Sequence, residues 1–338
     1  MKAIHVTRFG TGEDNLAFVE DAPKPDLAPN SADILVKVLA TSVHPGDCRV
    51  MDGSVSLVMK PKEFPYVLGM ELCGVVEEVG VMCKRFKVGD RVVASLPSFE
   101  HGTFTEYVAF DSQLAVLAPK NCSSEEATSL IVSGCTAIQA LKSAQVVTNG
   151  KILILGGSGG VGTFLLQLAK IRGVSTIATT STNAQLVSSL GADQVVDYRE
   201  HKWWELLAGQ NFDAIIDCVG GDESWQHCDH VLSKSGRFVA VATDPEASIR
   251  SVMDLIRFAG PAMWRSLNPF TTSYTLVVSF PKEKEMQELV DMVDKHDLKP
   301  VLDPSSPYDF TLEAVQRAVA LQRSQRAKGK LVVRIDDP

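Results

Sequence analysis

The segment that most restricts how this chain folds is a glycine-rich turn between an apolar run and an amphipathic stretch. Lys151–Leu155 is a mostly apolar run that predicts a buried strand, and the apolar spacing over Val161–Ile171 predicts a helix. Gly157, Gly159 and Gly162 lie between them with the spacing G-x-G-x-x-G. A helix that starts directly after a strand in this way is typical of a doubly wound α/β fold.

The three glycines have separate physical tasks in such a turn. One permits a tight turn, one lets the backbone approach a diphosphate, and one lets the helix pack closely on the strand. Backbone amides at the helix start then face the anion. A purely structural glycine-rich turn is the alternative, but the strand before it and the helix after it favour a dinucleotide site. The motif predicts contacts at Gly157, Gly159 and Gly162.

The charge pattern around this turn also favours a ligand with several phosphates. No Asp or Glu occurs between Glu126 and Asp193, whereas that stretch contains basic residues, in a chain whose net charge is −8. A positive segment in an acidic chain suits bound phosphates. The negative total argues against a general nucleic-acid partner or an acidic membrane partner.

The residues after the next predicted strand bear on which dinucleotide is bound. A site for NAD usually carries Asp or Glu about 20 residues after the glycines, where it binds the ribose hydroxyls. This chain has Thr179–Asn183, a run of short polar side chains, at that place. The sequence therefore predicts NADP(H), with Thr180 and Ser181 among the contacts and Arg199 as an additional charge. An ordinary helix N-cap is an equally good interpretation of the same cluster.

The chain changes character near residue 120. From Met1 to Pro119, short apolar segments alternate with Gly, Pro and Asp turns, which predicts a mostly β unit. From Ser123, predicted strands and helices alternate, which predicts a parallel sheet covered on both faces. The predicted elements in this part include strands Val174–Thr179, Gln194–Asp197, Ala214–Asp217, Arg237–Val241 and Tyr274–Phe280, helices Asn183–Leu190, Trp225–Leu232, Glu283–His296 and Leu312–Arg323, and a helical insertion over Glu246–Pro269 whose role stays open.

Cysteine usage and hydropathy indicate the compartment. The seven cysteines are scattered, odd in number and never arranged as C-x-x-C, so they form neither a disulfide framework nor a zinc knuckle. No apolar run is long enough to cross a bilayer, and the N-terminus lacks the apolar core of a signal peptide. We therefore expect a soluble, cytoplasmic protein.

Short motifs are spread over nearly the whole chain in a fixed order: Met1–Ile4, Asp33–Val38, Ser42–Asp47, Leu68–Val76, Val88–Val92, Gly102–Val108, Ser158–Gly162 and Gly329–Val333. Together they resemble the motifs of the medium-chain dehydrogenase/reductase superfamily, in its zinc-independent, zeta-crystallin-like quinone oxidoreductase branch.

The resemblance implies two domains. They are a GroES-like, mostly β catalytic domain over 1–122, with 284–338 packing back onto it, and a Rossmann NADP(H)-binding domain over 123–283. The nicotinamide is implied to lie in the cleft between them. Carried over by position, the implied cofactor contacts are Thr136, Ser158, Gly159, Gly160, Val161, Thr180, Tyr198, Val219 and Lys330. Gln185 departs from the pattern, because relatives often place a lysine there for the 2′-phosphate.

The resemblance also argues against a metal. The positions of the family's zinc ligands hold His44, Met70 and Val132, and a thioether and an aliphatic side chain cannot complete a site that needs three protein ligands. The cluster at His227–His230 falls on a predicted helix and has no accompanying set of ligands. The sequence therefore predicts no metal site.

Without a metal Lewis acid, we expect reduction, because an electron-poor alkene or quinone accepts hydride without activation of a hydroxyl. The predicted catalytic residues are His44, Asp47 and Tyr66. His44 stands where relatives commonly carry Asn, and it is expected to donate a hydrogen bond or a proton to the substrate oxygen. Its alternative role is that of a turn residue before Pro45. Asp47 is expected to orient the turn or to bind the nicotinamide ribose, and packing and proton donation are equally good roles for Tyr66.

The predicted function is that of an NADPH-dependent, zinc-free reductase of quinones or of α,β-unsaturated carbonyl compounds. Two alternatives stay open: a reductase of enoyl thioesters linked to a carrier or to CoA, and a cofactor-binding scaffold or single-stranded nucleic-acid binder without turnover. Tyr274–Phe280, apolar on both faces, is expected to form an edge strand through which a homodimer assembles.

Overall fold

The computed structural model describes residues 1–97, 102–242, 247–268 and 271–336. The chain divides into two compact units, one formed by Met1–Val132 together with Pro281–Pro338 and the other by Ser133–Phe280. The sequence places the two boundaries at 122/123 and 283/284, and the structure places them at 132/133 and 280/281. Unit 1 is therefore built from two separate stretches of chain, and unit 2 is one continuous insertion between them.

The strands of the described residues are numbered in chain order: β1 Ala3–Val6, β2 Leu16–Val19, β3 Asp33–Val43, β4 Tyr66–Val67, β5 Glu71–Val79, β6 Arg91–Ser95, β7 Tyr107–Asp111, β8 Ala115–Leu117, β9 Lys151–Leu155, β10 Thr176–Thr180, β11 Gln194–Val196, β12 Phe212–Asp217, β13 Leu232–Ala240, β14 Ser273–Leu276, β15 Tyr308–Asp309 and β16 Leu331–Arg334. The helices are α1 Pro45–Met51, α2 Ser124–Thr128, α3 Ile131–Ala144, α4 Gly160–Ile171, α5 Ala184–Ser189, α6 Trp203–Leu206, α7 Asp222–Gln226, α8 Val252–Leu267, α9 Glu283–Asp294 and α10 Leu312–Arg323.

Unit 1 is mostly β, as the sequence predicts. Strand β3 pairs with β5, β7 and β16, so nearly all of its side chains are buried, which explains its continuous apolar run. A smaller sheet has the order β2-β1-β4. Side chains from both stretches of chain fill one core, in which Ile4 and Val43 pack with Val315 and Val333. The C-terminal stretch is therefore part of the unit's interior.

Unit 2 is a parallel sheet with the strand order β11-β10-β9-β12-β13-β14. The order reverses between β9 and β12, so the segments that follow these two strands leave the same edge of the sheet in opposite directions. Ligands of doubly wound folds bind outside the carboxyl ends of the strands at such a reversal. This topology places the glycine-rich turn, which follows β9, at the expected binding edge.

Most predicted elements of unit 2 are confirmed, but the helix predicted over Trp225–Leu232 is wrong. Helix α7 ends at Gln226, a 3₁₀ turn follows at Cys228–His230, and Leu232 begins β13 beside Phe212. The helix was predicted too long because a short apolar run does not distinguish a helix from a buried strand.

Two other predicted elements differ in extent. The predicted strand Tyr274–Phe280 ends at Leu276, although the Val277 amide still donates to the Ala240 carbonyl. The insertion contains α8, while residues 246 and 269 lie outside the described residues.

Among the residues that the structure describes, no helix is both long enough and apolar enough to cross a membrane.

Candidate functional site

The glycine-rich turn of unit 2 leaves backbone amides available at the start of α4. Gly159 is the N-cap of this helix, and no side chain caps it. The Gly157 amide donates to the Thr180 carbonyl at 3.1 Å, and the Gly159 amide donates to the Gly156 carbonyl at 3.1 Å, so the turn is held by its own backbone. An uncapped helix N-terminus with a positive dipole end is a ready site for a phosphate group.

The three glycines of the motif differ in what a side chain would meet. A Cβ at Gly157 would collide with Thr179 Oγ1, and a Cβ at Gly162 would collide with the Gly156 carbonyl oxygen. A Cβ at Gly159 would meet only the Gly156 carbonyl oxygen, at an ordinary 3.5 Å. The fold therefore requires glycine at 157 and 162, whereas at 159 the chain leaves space that it does not itself use. In dinucleotide-binding turns of this spacing, the middle glycine lets the backbone approach a diphosphate.

The polar cluster after β10 divides into residues that hold the fold and residues that face outward. Thr180 Oγ1 accepts a hydrogen bond from the Gly156 amide at 2.9 Å, and Ser181 Oγ accepts one from the Asn183 amide at 2.9 Å; both side chains are buried. Asn183 is the N-cap of α5, so the interpretation of the polar cluster as an ordinary helix cap is correct for this residue. Thr182 is half-buried and Gln185 is exposed. Thr180 thus supports the glycine-rich turn and Ser181 supports the segment before α5, whereas Thr182 and Gln185 keep part of their surface exposed.

Tyr198 and Arg199 follow β11, the neighbour of β10 in the sheet. The Arg199 guanidinium binds both carboxylate oxygens of Asp197, at 3.1 and 2.7 Å, and this pairing holds the pKa of Asp197 at about 2. The positive charge that the sequence assigns to Arg199 is therefore largely compensated by its neighbour. Tyr198 is exposed beside it.

Asp217, at the end of β12, shapes the loop on the other side of the reversal. Its Oδ1 accepts hydrogen bonds from the Val219 and Gly220 amides at 2.9 and 3.1 Å, and burial raises the pKa of this carboxyl to about 6. The loop brings Val219 against Gly156, where a Cβ would lie 3.1 Å from Val219 Cγ2. Val219 is thus placed beside the glycine-rich turn. Thr136 is buried in α3.

In unit 1, His44 follows β3 and caps α1. Its Nδ1 accepts a hydrogen bond from the Gly46 amide at 3.1 Å, and its own amide donates to Asp47 Oδ2 at 2.8 Å, which completes a reciprocal capping box. Because Nδ1 is an acceptor, the proton of the neutral ring lies on Nε2. Burial, together with the Lys330 ammonium, lowers the pKa of His44 to about 3. The ring can donate a hydrogen bond, but the expected release of a proton from a charged imidazole near neutral pH has no support.

Asp47 and Tyr66 each have a buried polar atom without a partner among the described residues, namely Asp47 Oδ1 and the Tyr66 hydroxyl. Asp47 has no exposed surface, and burial raises its pKa to about 8. A fully buried carboxyl that binds the His44 amide positions that residue. Tyr66 packs against the unit 1 core and beside the Phe64 ring, and burial raises the pKa of its phenol.

Lys330 forms a buried ion pair with Glu71. Lys330 Nζ lies 2.6 Å from Glu71 Oε1, and the two side chains are 4% and 0% exposed. Ser42 Oγ donates to the same oxygen, and the Val132 amide donates to Oε2 at 2.8 Å. Burial alone would raise the pKa of Glu71, but the Lys330 charge and these hydrogen bonds outweigh it and lower the pKa. The ammonium that was predicted to contact a cofactor is thus engaged within unit 1.

The described residues do not fit a zinc site. They contain no group of three or more His, Cys, Asp or Glu side chains that could hold a metal ion. Near His44, the Met70 thioether flanks Gly46, and Nδ1 of the imidazole is already used by the Gly46 amide. His227 stacks on the Trp204 ring at a centroid distance of 4.3 Å, so the His227–His230 cluster contributes to aromatic packing.

Known proteins resemble the chain over its full length. Residues 30–120 match the alcohol dehydrogenase GroES-like domain family, and residues 190–333 match the zinc-binding dehydrogenase family. A chloroplastic quinone-oxidoreductase, QR1, of Triphysaria versicolor is 32% identical over 342 residues, which cover 98% of each chain. The chain belongs to the medium-chain dehydrogenase/reductase superfamily, in its zinc-independent quinone oxidoreductase branch.

Other members of this superfamily match similarly. An NADPH-dependent alkenal/one oxidoreductase of Arabidopsis thaliana, also chloroplastic, is 29% identical over 98% of this chain and 79% of its own. The structure of the quinone oxidoreductase from Coxiella burnetii has a TM-score of 0.83 at 29% identity and 99% coverage of both chains. The mycobacterial protein Rv1454c, solved with NADPH, has a TM-score of 0.77 at 26% identity, over 99% of this chain and 100% of that one. Membership makes this dehydrogenase/reductase an oxidoreductase with a nicotinamide cofactor.

Sequence reasoning missed Glu71, although it lies inside a recognised motif. The signal available was an acidic residue directly before the uncharged, mostly apolar run 72–76, and burying such a residue is costly unless a cation reaches it. The partner, Lys330, lies 259 positions away, so no local pattern connects the two.

We predict that Glu71→Gln destabilises the protein by about 3–5 kcal/mol, because the Lys330 ammonium would be left buried without a counter-charge. Urea unfolding followed by circular dichroism measures this. The double variant Glu71→Gln/Lys330→Met should recover part of the loss. Glu77→Gln, which breaks the exposed pair with Lys24, is the control and should cost less than about 1 kcal/mol. Equal effects at 71 and 77 would contradict the assignment.

A second prediction separates ligand contact from folding within the glycine motif. Gly159→Ala should leave the thermal midpoint unchanged and weaken NADPH binding at least tenfold, since its methyl group would occupy the space that the chain leaves open. Gly162→Ala should lower the midpoint, because its methyl group would overlap the Gly156 carbonyl. Scanning and titration calorimetry give both quantities. Wild-type affinity in Gly159→Ala would refute a diphosphate at this turn.

Proposed function

We propose that this protein is an NADPH-dependent reductase that adds hydride, without zinc, to a quinone or to the activated C=C bond of an α,β-unsaturated carbonyl compound. The observation that carries the proposal is the turn at Gly159, where uncapped amides and unused space suit a dinucleotide diphosphate. The names of the relatives, a quinone-oxidoreductase and an alkenal/one oxidoreductase, support these two substrate classes.

The residues of unit 2 would hold the cofactor, and a reduced nicotinamide supplies a hydride when it is bound. The amides of Gly160 and Val161, at the start of α4, would bind the diphosphate. Val219, fixed by Asp217, would cover its neighbouring ribose, and Tyr198 would lie toward the adenosine. Thr180 acts indirectly, because its hydroxyl holds the Gly156 amide and so sets the shape of the turn.

His44 would bind the substrate oxygen in unit 1. Its Nε2–H is a neutral donor, fixed in orientation by the capping box, and such a donor stabilises the negative charge that develops on the oxygen when the alkene or quinone accepts hydride. With the ring already neutral, the proton that completes the reaction comes from solvent. For an enone, hydride adds to the β-carbon and this proton adds to the α-carbon.

The absence of zinc is part of the proposal and is supported by the chemistry of the donors. Beside His44 the chain offers a thioether, Met70, and the carboxylate that follows it, Glu71, is neutralised by Lys330. Burial raises the pKa of the other neighbouring carboxyl, Asp47, to about 8, which disfavours the charged form that a metal would need. The expected zinc content of the purified protein, measured by elemental analysis, is therefore well below one ion per chain.

Turnover assays test the proposed function. NADPH oxidation should occur with 1,4-benzoquinone or with an alkenal, and more slowly with a crotonyl thioester. Preference for the thioester would favour the enoyl-thioester reductase. Tight NADPH binding without turnover on all three would favour a scaffold, and no binding of either nicotinamide dinucleotide would refute the proposal.

The preference for NADPH is expected to depend on Thr182, the outward-facing residue of the polar cluster. Thr182→Asp should weaken NADPH binding and strengthen NADH binding, shifting their ratio at least tenfold, because a carboxylate repels the 2′-phosphate and accepts bonds from a ribose 2′-hydroxyl. Thr182→Asn, of matched size and neutral, should shift the ratio less than threefold. Fluorescence titration with both dinucleotides measures the ratio, and an unchanged ratio in Thr182→Asp contradicts this role.

Variants of His44 test its role as a neutral donor. His44→Ala should lower kcat/KM by about 10- to 100-fold, since it removes one oxyanion donor, whereas His44→Asn, which keeps a cap and an N–H donor, should retain most activity. Because the pKa of His44 is lowered to about 3, its charged form occurs only well below pH 5. The pH profiles of wild type and His44→Asn should therefore coincide from pH 5 to 7.5. A wild-type inflection near pH 6.5 that is absent from His44→Asn would overturn the neutral assignment.

The assembly and the compartment stay predictions. Strand β14 lies at the edge of the unit 2 sheet, which supports a homodimer through that strand. A cytoplasmic location is the expectation from the sequence, although the two relatives compared above are chloroplastic.

A further inference from the structure

A cavity of about 170 Å³ lies in unit 2 between α7, α8 and the sheet, and we call it the α8 cavity. Trp225, Phe238 and Tyr274 line it from α7 and the sheet, and Phe258 and Ala262 line it from α8. An apolar cavity of about 150 Å³ is large enough to hold a benzene molecule. The α8 cavity therefore has room for one six-membered ring with a small substituent.

The three aromatic residues that line the cavity from α7 and the sheet form one packed wall. The Trp225 ring lies edge-on to Phe238 and Tyr274, at centroid distances of 5.5 and 5.2 Å. The Phe238 and Tyr274 rings are stacked at 5.8 Å. Aromatic rings attract one another in these two geometries, so an aromatic wall gains more from a flat ring than from an aliphatic group of equal size.

Most of the charged groups in the cavity lining already have partners. The guanidinium carbon of Arg265 lies 5.2 Å from the centroid of the Trp225 ring and 5.6 Å from that of Tyr274. Arg265 Nη2 also lies 2.8 Å from Asp222 Oδ1. The second carboxyl of the lining, that of Asp217, accepts hydrogen bonds from two backbone amides of the loop after β12. A cationic ligand is disfavoured, because a guanidinium already covers the aromatic wall.

Arg257, on α8, is the other charged residue among the described residues that line the cavity. Within the part of the chain that the structure describes, its guanidinium makes no hydrogen bond or ion pair. The carboxylate one turn earlier, that of Asp254, accepts hydrogen bonds from the Arg250 and Ser251 amides at 3.1 and 2.9 Å. An available guanidinium beside an aromatic wall favours a ligand that carries a carboxylate, since Arg can bind both carboxylate oxygens.

The topology places the α8 cavity on the face of the sheet opposite α4. The connection from β9 through α4 to β10 runs in one direction along the sheet, whereas those from β12 through α7 to β13 and from β13 through α8 to β14 run in the other. Connections between parallel strands are right-handed in nearly all proteins, so opposite directions put the helices on opposite faces. The cavity is therefore separate from the helix that follows the glycine-rich turn.

We propose that the α8 cavity is a binding site for a small aromatic carboxylate, whose ring lies against Trp225 and Tyr274 and whose carboxylate pairs with Arg257. The volume limits this ligand to a single ring. The inference does not rest on the reductase chemistry, because none of these three residues belongs to the site proposed for the dinucleotide or the substrate.

Titration calorimetry of the full chain with benzoate as the probe tests the proposal. We expect a dissociation constant of about 0.1–1 mM, which is ordinary for a ligand of this size. Benzamide, which has the same shape but no charge, and acetate, which lacks the ring, should each bind at least about tenfold more weakly. Benzoate should also quench the fluorescence of the wild type, and Trp225→Phe should remove this quenching while it keeps an aromatic wall.

Two variants locate the bound benzoate. Arg257→Gln should weaken benzoate binding at least about tenfold and leave benzamide binding unchanged, because it removes the charged partner of the carboxylate. Ala262→Leu should weaken the binding of both compounds, because its larger side chain fills part of the cavity. Arg250→Gln is the control; it removes an exposed arginine outside the cavity lining and should change neither affinity. Thermal midpoints close to that of the wild type show that the variants fold.

Three results would overturn the proposal. They are the absence of benzoate binding at 10 mM, wild-type benzoate affinity in Arg257→Gln, and a loss of affinity in Arg257→Gln that Ala262→Leu does not share. The last result would place benzoate on the outer surface of α8. Equal affinities for benzoate and benzamide would likewise contradict the pairing with Arg257.

Discussion

The buried pair of Glu71 and Lys330 joins the two stretches of chain that make unit 1. It links β5 to the residue before β16, and through Ser42 and the Val132 amide it also holds β3 and the last residue of the unit's first stretch. Such a pair gains little net stability over apolar packing, yet losing either partner is costly. The contribution of the pair is specificity, because it determines which strands come together in unit 1. The same ammonium helps to keep His44 uncharged, so the framework and the candidate chemistry of this unit depend on one interaction.

The structure of a unit can be predicted from the sequence to the extent that its interactions join residues that are close together in the chain. In unit 2, a strand, a glycine turn and a helix occur within 21 residues of one another, so their order alone predicts the binding edge. Helix α10 is predicted at its observed bounds for the same reason, since its apolar period and its cap are both local. In unit 1, Glu71 pairs with Lys330, which lies 259 positions away in the chain, and residue types alone do not reveal this pair.

The roles of Thr180 and Asp47 illustrate the same limit within recognised motifs. Position in the family pattern predicts that both residues lie near the site. It does not show that the Thr180 hydroxyl accepts a hydrogen bond from the Gly156 amide. Nor does it show that Asp47 is fully buried and accepts a hydrogen bond from the His44 amide. Both side chains accept a hydrogen bond from a backbone amide, that of Gly156 and that of His44 respectively. Only a three-dimensional arrangement distinguishes such support from direct contact.

The division of unit 1 around a continuous unit 2 has a consequence for synthesis. A ribosome completes residues 133–280 well before it reaches Lys330, so unit 2 can fold while unit 1 still lacks the strand that neutralises Glu71. Until then, closing the sheet around an unpaired carboxylate is unfavourable. The core of unit 1 is complete only when the C-terminal stretch supplies Val315 and Val333, so the N-terminal stretch cannot bury all of its apolar surface before then.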